Sequence, residues 1–176
     1  ASDINAAMDG AKAFAAGGDS GALELSLKPH GFVYDGRYAN NEWIQELPDP
    51  VTKLTWSNAL TMAPKDAQRL ELADGDVAVL EAGNVKAELP VIVVQGQAPG
   101  TAGACLGFGR AAGHVASGRG VNLYPMLGDQ DGKTAFITGV LARRAGRRVQ
   151  LARTQEHDRM EGREIARIKD ITAKIE

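Results

Sequence analysis

The segment LELSLKP (Leu23–Pro29) alternates leucine with polar residues, the two-residue period of a strand that buries one face. After it, HGFVYDGRYANNEWIQELPDPVT has no sustained period and several Pro and Asp-Gly signals, so it reads as a long loop, and long ordered loops are usually functional. KLTWS (Lys53–Ser57) reads as another short strand. In APKDAQRLELADGD, Pro64 suits the first helical position, Asp66 the first turn, and Ala67 and Leu70 share a face, with Gly75 closing the unit; a helix over Pro64–Leu70 is predicted. DVAVLEA and NVKAELPVIVVQ flank Gly83-Asn84, a hairpin signal. GTAGACLGFG continues as strand. KTAFITGVLARRA and RRVQLART read as a second hairpin turning at Ala145-Gly146, with Arg143, Arg147 and Arg148 at solvated strand ends. In the tail, Ile165, Ile168, Ile171 and Ile175 stand near helical spacing. Six or seven short strands, one central helix and long loops make a small β-barrel with helical additions the expected class.

Composition narrows the function classes. The 176 residues fit one domain with tails. With 20 basic and 22 acidic side chains, the net charge of −2 gives no reason to expect nucleic acid or an anionic membrane as partner. The single cysteine, Cys105, excludes an internal disulfide and any multi-cysteine metal site within the chain. No run reaches the ~18–20 apolar residues of a membrane span, so a soluble chain without direct membrane insertion is expected. The opening ASDINAAMDGAKAFAAGGDSG does not start with methionine and ends in a glycine-rich break, which suits a fragment of a larger polypeptide.

The stretch ACLGFGRAAGHVASGRG (Ala104–Gly120) gathers five glycines around two arginines and a histidine. It is not the dinucleotide fingerprint G-x-G-x-x-G: the third glycine comes one residue late and HVASGRG is no helix. His30, His114 and His157 fit no metal-ligand spacing. Ser117 lacks the glycines of a nucleophile elbow, and there is neither a G-K-S/T loop nor a Gly-Ser pair for self-cleavage. No catalytic residue is therefore assigned. In YANNEWIQELPDPVTKLTWSN, Asn40, Asn41, Gln45 and Asn58 supply amide donors and acceptors while Trp43 and Trp56 supply flat faces, a set that can hold a heterocycle. The same tryptophans serve equally as core plugs and the asparagines as turn formers.

NNEWIQELPDP, APKDAQRLELADGDVAV, Pro99-Gly100, LGFGRAAG and VNLYP follow one another in an order that resembles the molybdopterin-dinucleotide-binding domain of the molybdopterin oxidoreductases, the dimethyl-sulfoxide-reductase superfamily. The match covers about Leu23 to Arg163. The ending TQEHDRMEGR makes it look most like the molybdopterin-oxidoreductase-like iron–sulfur subunit of alternative complex III, a quinol-oxidising respiratory assembly. The resemblance implies a mainly β chain folded as a double-psi β-barrel over 23–156, with an N-terminal extension over 1–22 and a closing segment and helix over 157–176. It implies that Asn40, Asn41 and Trp43 pass the cofactor, that Asn122 faces the dinucleotide, that Gln155 and His157 lie near the pterin, and that Arg37 pairs a phosphate. Tyr38-Ala39 stands where many members have His-Thr or His-Ser. Molybdopterin guanine dinucleotide and iron–sulfur clusters would belong to the full-length protein, with none held by this chain alone, so the isolated chain is expected to be inactive. The implied partners are the remaining domains of the same polypeptide and other respiratory subunits, in a bacterial periplasmic or membrane-associated complex. Three readings remain open at this point: a cofactor-binding domain in respiratory electron transfer, a cofactor-free scaffold, and a stand-alone interaction barrel.

Overall fold

The computed structural model describes residues 22–127 and 135–155. The N-terminal extension up to residue 21, His157 and the tail helix lie outside the described residues. Six strands, β1 (Leu23–Pro29), β2 (Leu60–Met62), β3 (Asp76–Ala82), β4 (Val85–Val93), β5 (Thr101–Leu106) and β6 (Ala135–Arg148), close into a barrel in the order β1-β5-β2-β4-β3-β6. Two neighbouring pairs, β1 with β5 and β2 with β4, are parallel, and the other four are antiparallel. The chain is mainly β, a barrel of the double-psi class with short helices α1 (Glu42–Glu46) and α2 (Pro64–Arg69).

Alternation fills the barrel. Leu23, Leu25 and Leu27 of β1, Leu60 and Met62 of β2, Leu80, Leu89 and Leu106 are buried in one cluster, each contributing about 1.5–3 kcal/mol by leaving water. The strand β1, the helix and the hairpin stand where the sequence puts them. Ala82 pairs Val85 across the two-residue turn Gly83-Asn84. Pro64 opens α2, whose buried Asp66 accepts from Arg69 Nη2 at 3.0 Å and from Gly100 N at 2.7 Å, tying the helix to the Pro99-Gly100 turn.

The predicted second hairpin is overturned. Residues 135–148 form one strand that pairs with β1 through its first half and with β3 through its second. Two glycines, Gly139 and the expected turn residue Gly146, sit where the register slips: Leu23 and Leu25 face Val140 and Ile137 around Gly139, and Asp76 and Ala78 face Arg148 and Arg144 around Gly146. At φ of 73° and 77° they make bulges that bend one long strand around the barrel. The arginines therefore belong to a ladder face instead of a turn: Arg143 pairs Glu81, Arg147 pairs Glu88, and Arg148 donates to Asp74 O.

The expected strand at Lys53–Ser57 is also absent, reduced to a bridge between Leu54 and Arg153. Lys53 and Trp56 lie at φ of 59° and 62°, which a strand does not admit, and the pairing strand begins at Leu60. Within the long loop, residues 42–46 form the helix α1 that the aperiodic sequence conceals.

Gly75 has φ of 83°, and a Cβ there would meet Val149 O at 2.6 Å; Gly83 has φ of 56° but faces open space. Gly75→Ala is expected to cost about 1–3 kcal/mol. Gly83→Ala should cost about 1 kcal/mol, from backbone strain alone. Urea unfolding midpoints of the two variants measure the difference.

Candidate functional site

Three segments meet at one end of the barrel: residues 33–37 after β1, 107–110 after β5, and 119–122. They approach through backbone, because a Cβ on Gly107 would meet Tyr34 O at 2.6 Å and Gly36 N at 2.9 Å, and one on Gly109 would collide with Asn122 N. Gly109 N donates to Arg119 O at 2.8 Å. The glycine-rich stretch is thus a close crossing of three chains.

Asn58 holds the crossing from beneath. It is 2% exposed; its Nδ2 donates to Cys105 O at 2.8 Å and Val121 O at 2.9 Å, and its Oδ1 accepts from Val121 N at 2.8 Å. Asn58 serves the backbone and does not read a heterocycle.

Between the segments lies a cavity of about 480 Å³, lined by Arg37, Asn122, Arg110 and Tyr124 and by backbone of Gly107 and Gly109. Tyr124 Oη donates to Asp35 O at 2.7 Å and Arg110 Nη1 to Gly36 O at 3.3 Å, so the 35–37 turn is pinned from two sides. Arg37 directs Nε and Nη2 at the Asp35 carboxylate, with Nη2 to Oδ2 at 2.7 Å, and its guanidinium lies 5.0 Å from the Tyr34 ring. The Arg37 hydrogen bonds pull the Asp35 carboxyl down to about 2, and Asp35 in turn raises Arg37. Burial pushes the Tyr124 phenol up. Asn122 is exposed, and its Oδ1 accepts from Tyr124 N at 3.0 Å.

The other expected site residues fall elsewhere. Asn40 uses Oδ1 to accept from Val115 N at 3.0 Å and Ala116 N at 3.3 Å, steadying the glycine stretch beside the cavity. Asn41 precedes α1 without a side-chain cap bond and does not line the cavity with Asn122. Trp43 is 82% exposed on α1. Gln45 is buried, its Nε2 donating to Ala39 O at 2.8 Å. Trp56 carries the Arg119 guanidinium 5.1 Å from its ring. Gln155 borders a different, smaller cavity with Arg153. Sequence reasoning missed Asp35, Arg110 and Tyr124 as members of the site, although Arg110 and Tyr124 lie in the stretches LGFGRAAG and VNLYP that it singled out and Asp35 lies in the long loop after β1.

No family model matches the sequence, and no curated protein matches it. Among solved structures, acetylene hydratase from Pelobacter acetylenicus is similar with a TM-score of 0.51 at 19% identity; the similarity covers 71% of this chain and 18% of that one. At that identity the likeness is one of fold. Acetylene hydratase is an enzyme of the molybdopterin family whose motifs this sequence resembles. The present chain spans less than a fifth of its length. Among the described residues, no group of His, Cys, Asp and Glu could hold a metal ion, and no helix is long and apolar enough to cross a membrane.

Asn58→Ala would strand three backbone groups in a buried place and is expected to lower stability by about 3 kcal/mol or more, at about 1–3 kcal/mol for each unsatisfied group. Chemical denaturation checks it. A second expectation concerns His30, at the start of the turn leading to Arg37. Its Nδ1 accepts from Phe32 N at 3.3 Å and Val33 N at 3.2 Å, so the fold requires the neutral ring. Burial lowers its pKa below the ordinary 6.5, opposed by Asp49 and aided by Lys28. The unfolded chain then binds the extra proton first: stability is full above 6.5 and falls as pH drops through the folded value. The urea midpoint of the wild-type chain should decline on acidification below 6.5, and His30→Asn, which keeps an acceptor but cannot titrate, should flatten that decline.

Proposed function

We propose that this chain is the barrel domain of a larger molybdopterin oxidoreductase, and that the cavity at the glycine crossing receives a phosphate-bearing part of a molybdopterin dinucleotide. The observation that carries this reading is the joint placement of Arg37, Arg110 and Asn122 on one cavity whose wall also includes Asp35, Tyr124 and the glycines Gly36, Gly107 and Gly109. Two guanidinium groups against one carboxylate favour an anion, guanidinium forks suit phosphate oxygens, and glycines let a bulky group approach the main chain. The donor set therefore fits the dinucleotide's phosphates. The likeness of fold to acetylene hydratase supports the reading at the level of the superfamily.

When bound, the cofactor supplies the metal-centred chemistry; this chain's part is to bind and orient. Arg37 and Arg110 would hold phosphate oxygens, with Tyr124 keeping the turn of Arg37 in place. Asn122 would present its amide to a polar edge of the nucleotide. The respiratory role, the iron–sulfur neighbours and the placement in an assembly of the alternative complex III type belong to this proposal as its finer part, resting on the sequence motifs quoted above.

One observation favours the second reading, a scaffold domain without cofactor: the Arg37 fork already grips Asp35 at 2.7 Å, and Asn40, Gln45 and Asn58 all bind backbone. The two readings part on anion binding. Titration of guanosine diphosphate into the chain at low salt should give saturable binding that Arg37→Ala weakens about tenfold, the equivalent of about 1.4 kcal/mol. Asp35→Asn, which frees the fork, should tighten it. In the full-length protein, Asn122→Ala should lower cofactor content about tenfold. Absence of binding in both the wild type and Asp35→Asn would establish the scaffold reading instead.

A further inference from the structure

A second cavity, of about 420 Å³, lies on the outside of the barrel and shares no lining residue with the first. Strand register builds its floor. Phe136 of β6 pairs Ser26 of β1, Ser26 pairs Gly103 of β5, and Gly103 pairs Thr61 of β2. Their neighbours along each strand, such as Leu25, Leu27, Ala102 and Met62, are buried in the core, so this row points outward. It runs from an exposed aromatic ring to a hydroxymethyl group and then to bare backbone, which leaves a trough. At Gly103 any Cβ would meet Thr61 Oγ1 at 2.8 Å. The loop between α1 and β2 raises an apolar bank of Val51, Leu54 and Ala59 along the trough.

One end is polar. His30 borders the cavity and is only 7% exposed. Because its Nδ1 accepts from two backbone N–H groups, the ring proton sits on Nε2, and that N–H has no partner among the described residues. Lys28 stands beside it, one pair along the same strands opposite Cys105, with no ion pair among the described residues. Asp49, the other charged group facing His30, has Oδ1 engaged by Val51 N, Thr52 N and Thr52 Oγ1. The polar end thus offers two donors, Lys28 Nζ and His30 Nε2–H, beside one carboxylate, Asp49, whose Oδ1 is already engaged, and the rest of the trough offers apolar walls, the division of labour found in small-molecule sites.

We propose that this cavity binds a small aryl carboxylate: the carboxylate accepts from Lys28 Nζ and His30 Nε2–H, and the ring lies along Ser26 and Gly103 against Phe136. This site is independent of the dinucleotide reading, since it requires none of the same residues.

Cys105 is the chain's one thiol and borders the cavity, so it reports occupancy. Naphthalene-2-carboxylate titrated into the chain at pH 8 should bind with a Kd on the order of 0.1–1 mM. At saturation it should slow alkylation of Cys105 by iodoacetamide about fivefold or more. The neutral counterpart, 2-naphthalenemethanol, should bind about tenfold more weakly, and Lys28→Gln, a change at an exposed side chain, should bring the acid down toward the alcohol. Equal affinity of acid and alcohol for the unaltered protein would overturn the proposal, as would binding that leaves Cys105 alkylation unchanged.

Discussion

The amide of Asn58 is the interaction on which the site end of the barrel depends. It pairs with Val121 as a strand residue would, giving a donor and taking one, and uses its remaining proton on Cys105 O at the end of β5. Two segments that share no ladder at this point are joined by one side chain. A valine or leucine of similar volume would fill the space and leave three backbone groups without partners. The glycines around it follow from the same constraint: a Cβ on Gly120 would meet Asn58 Oδ1 at 2.7 Å, so the clamp and the glycine are required together.

From that clamp the cavity geometry is built outward. With residues 119–122 fixed, Tyr124 reaches Asp35 O, Arg110 reaches Gly36 O, and Asn40 takes the N–H groups of Val115 and Ala116. Each bond is modest, about 0.5–1.5 kcal/mol net. Together they order a long connection that has little apolar burial of its own, a small cluster of Val33, Ala39, Phe108 and Ala116. The turn that carries Arg37 is pinned as a result, which on the proposed reading sets where its guanidinium would meet a phosphate.

His30 stands between the two cavities. Its Nδ1 closes the turn that leads into Asp35–Arg37, while its Nε2 edge borders the outer trough. The same ring therefore links the position of the first site's arginine to the polar end of the second. Its edge-on packing against Phe32 and Phe108, with centroids 5.9 Å and 5.1 Å away, keeps it in a setting that favours the neutral form.

Much of the barrel was legible in the sequence: the alternation of Leu23, Leu25 and Leu27, the proline that opens α2 and the Gly83-Asn84 turn. These depend on contacts a few residues long, or on a period that a single strand displays. The misread hairpin shows why the rest was not. A glycine that ends a strand and a glycine that bulges one carry the same letter, and only the partners β1 and β3 made Gly139 and Gly146 bulges within one strand. The amides divide in the same way. Nothing local distinguishes Asn58, bonded to residues 47 and 63 positions away, from Asn122, which borders the cavity. Residue type and spacing determined which groups were present, and the tertiary structure decided which of them the backbone uses and which remain for a ligand, because that choice is made by chain segments distant in sequence.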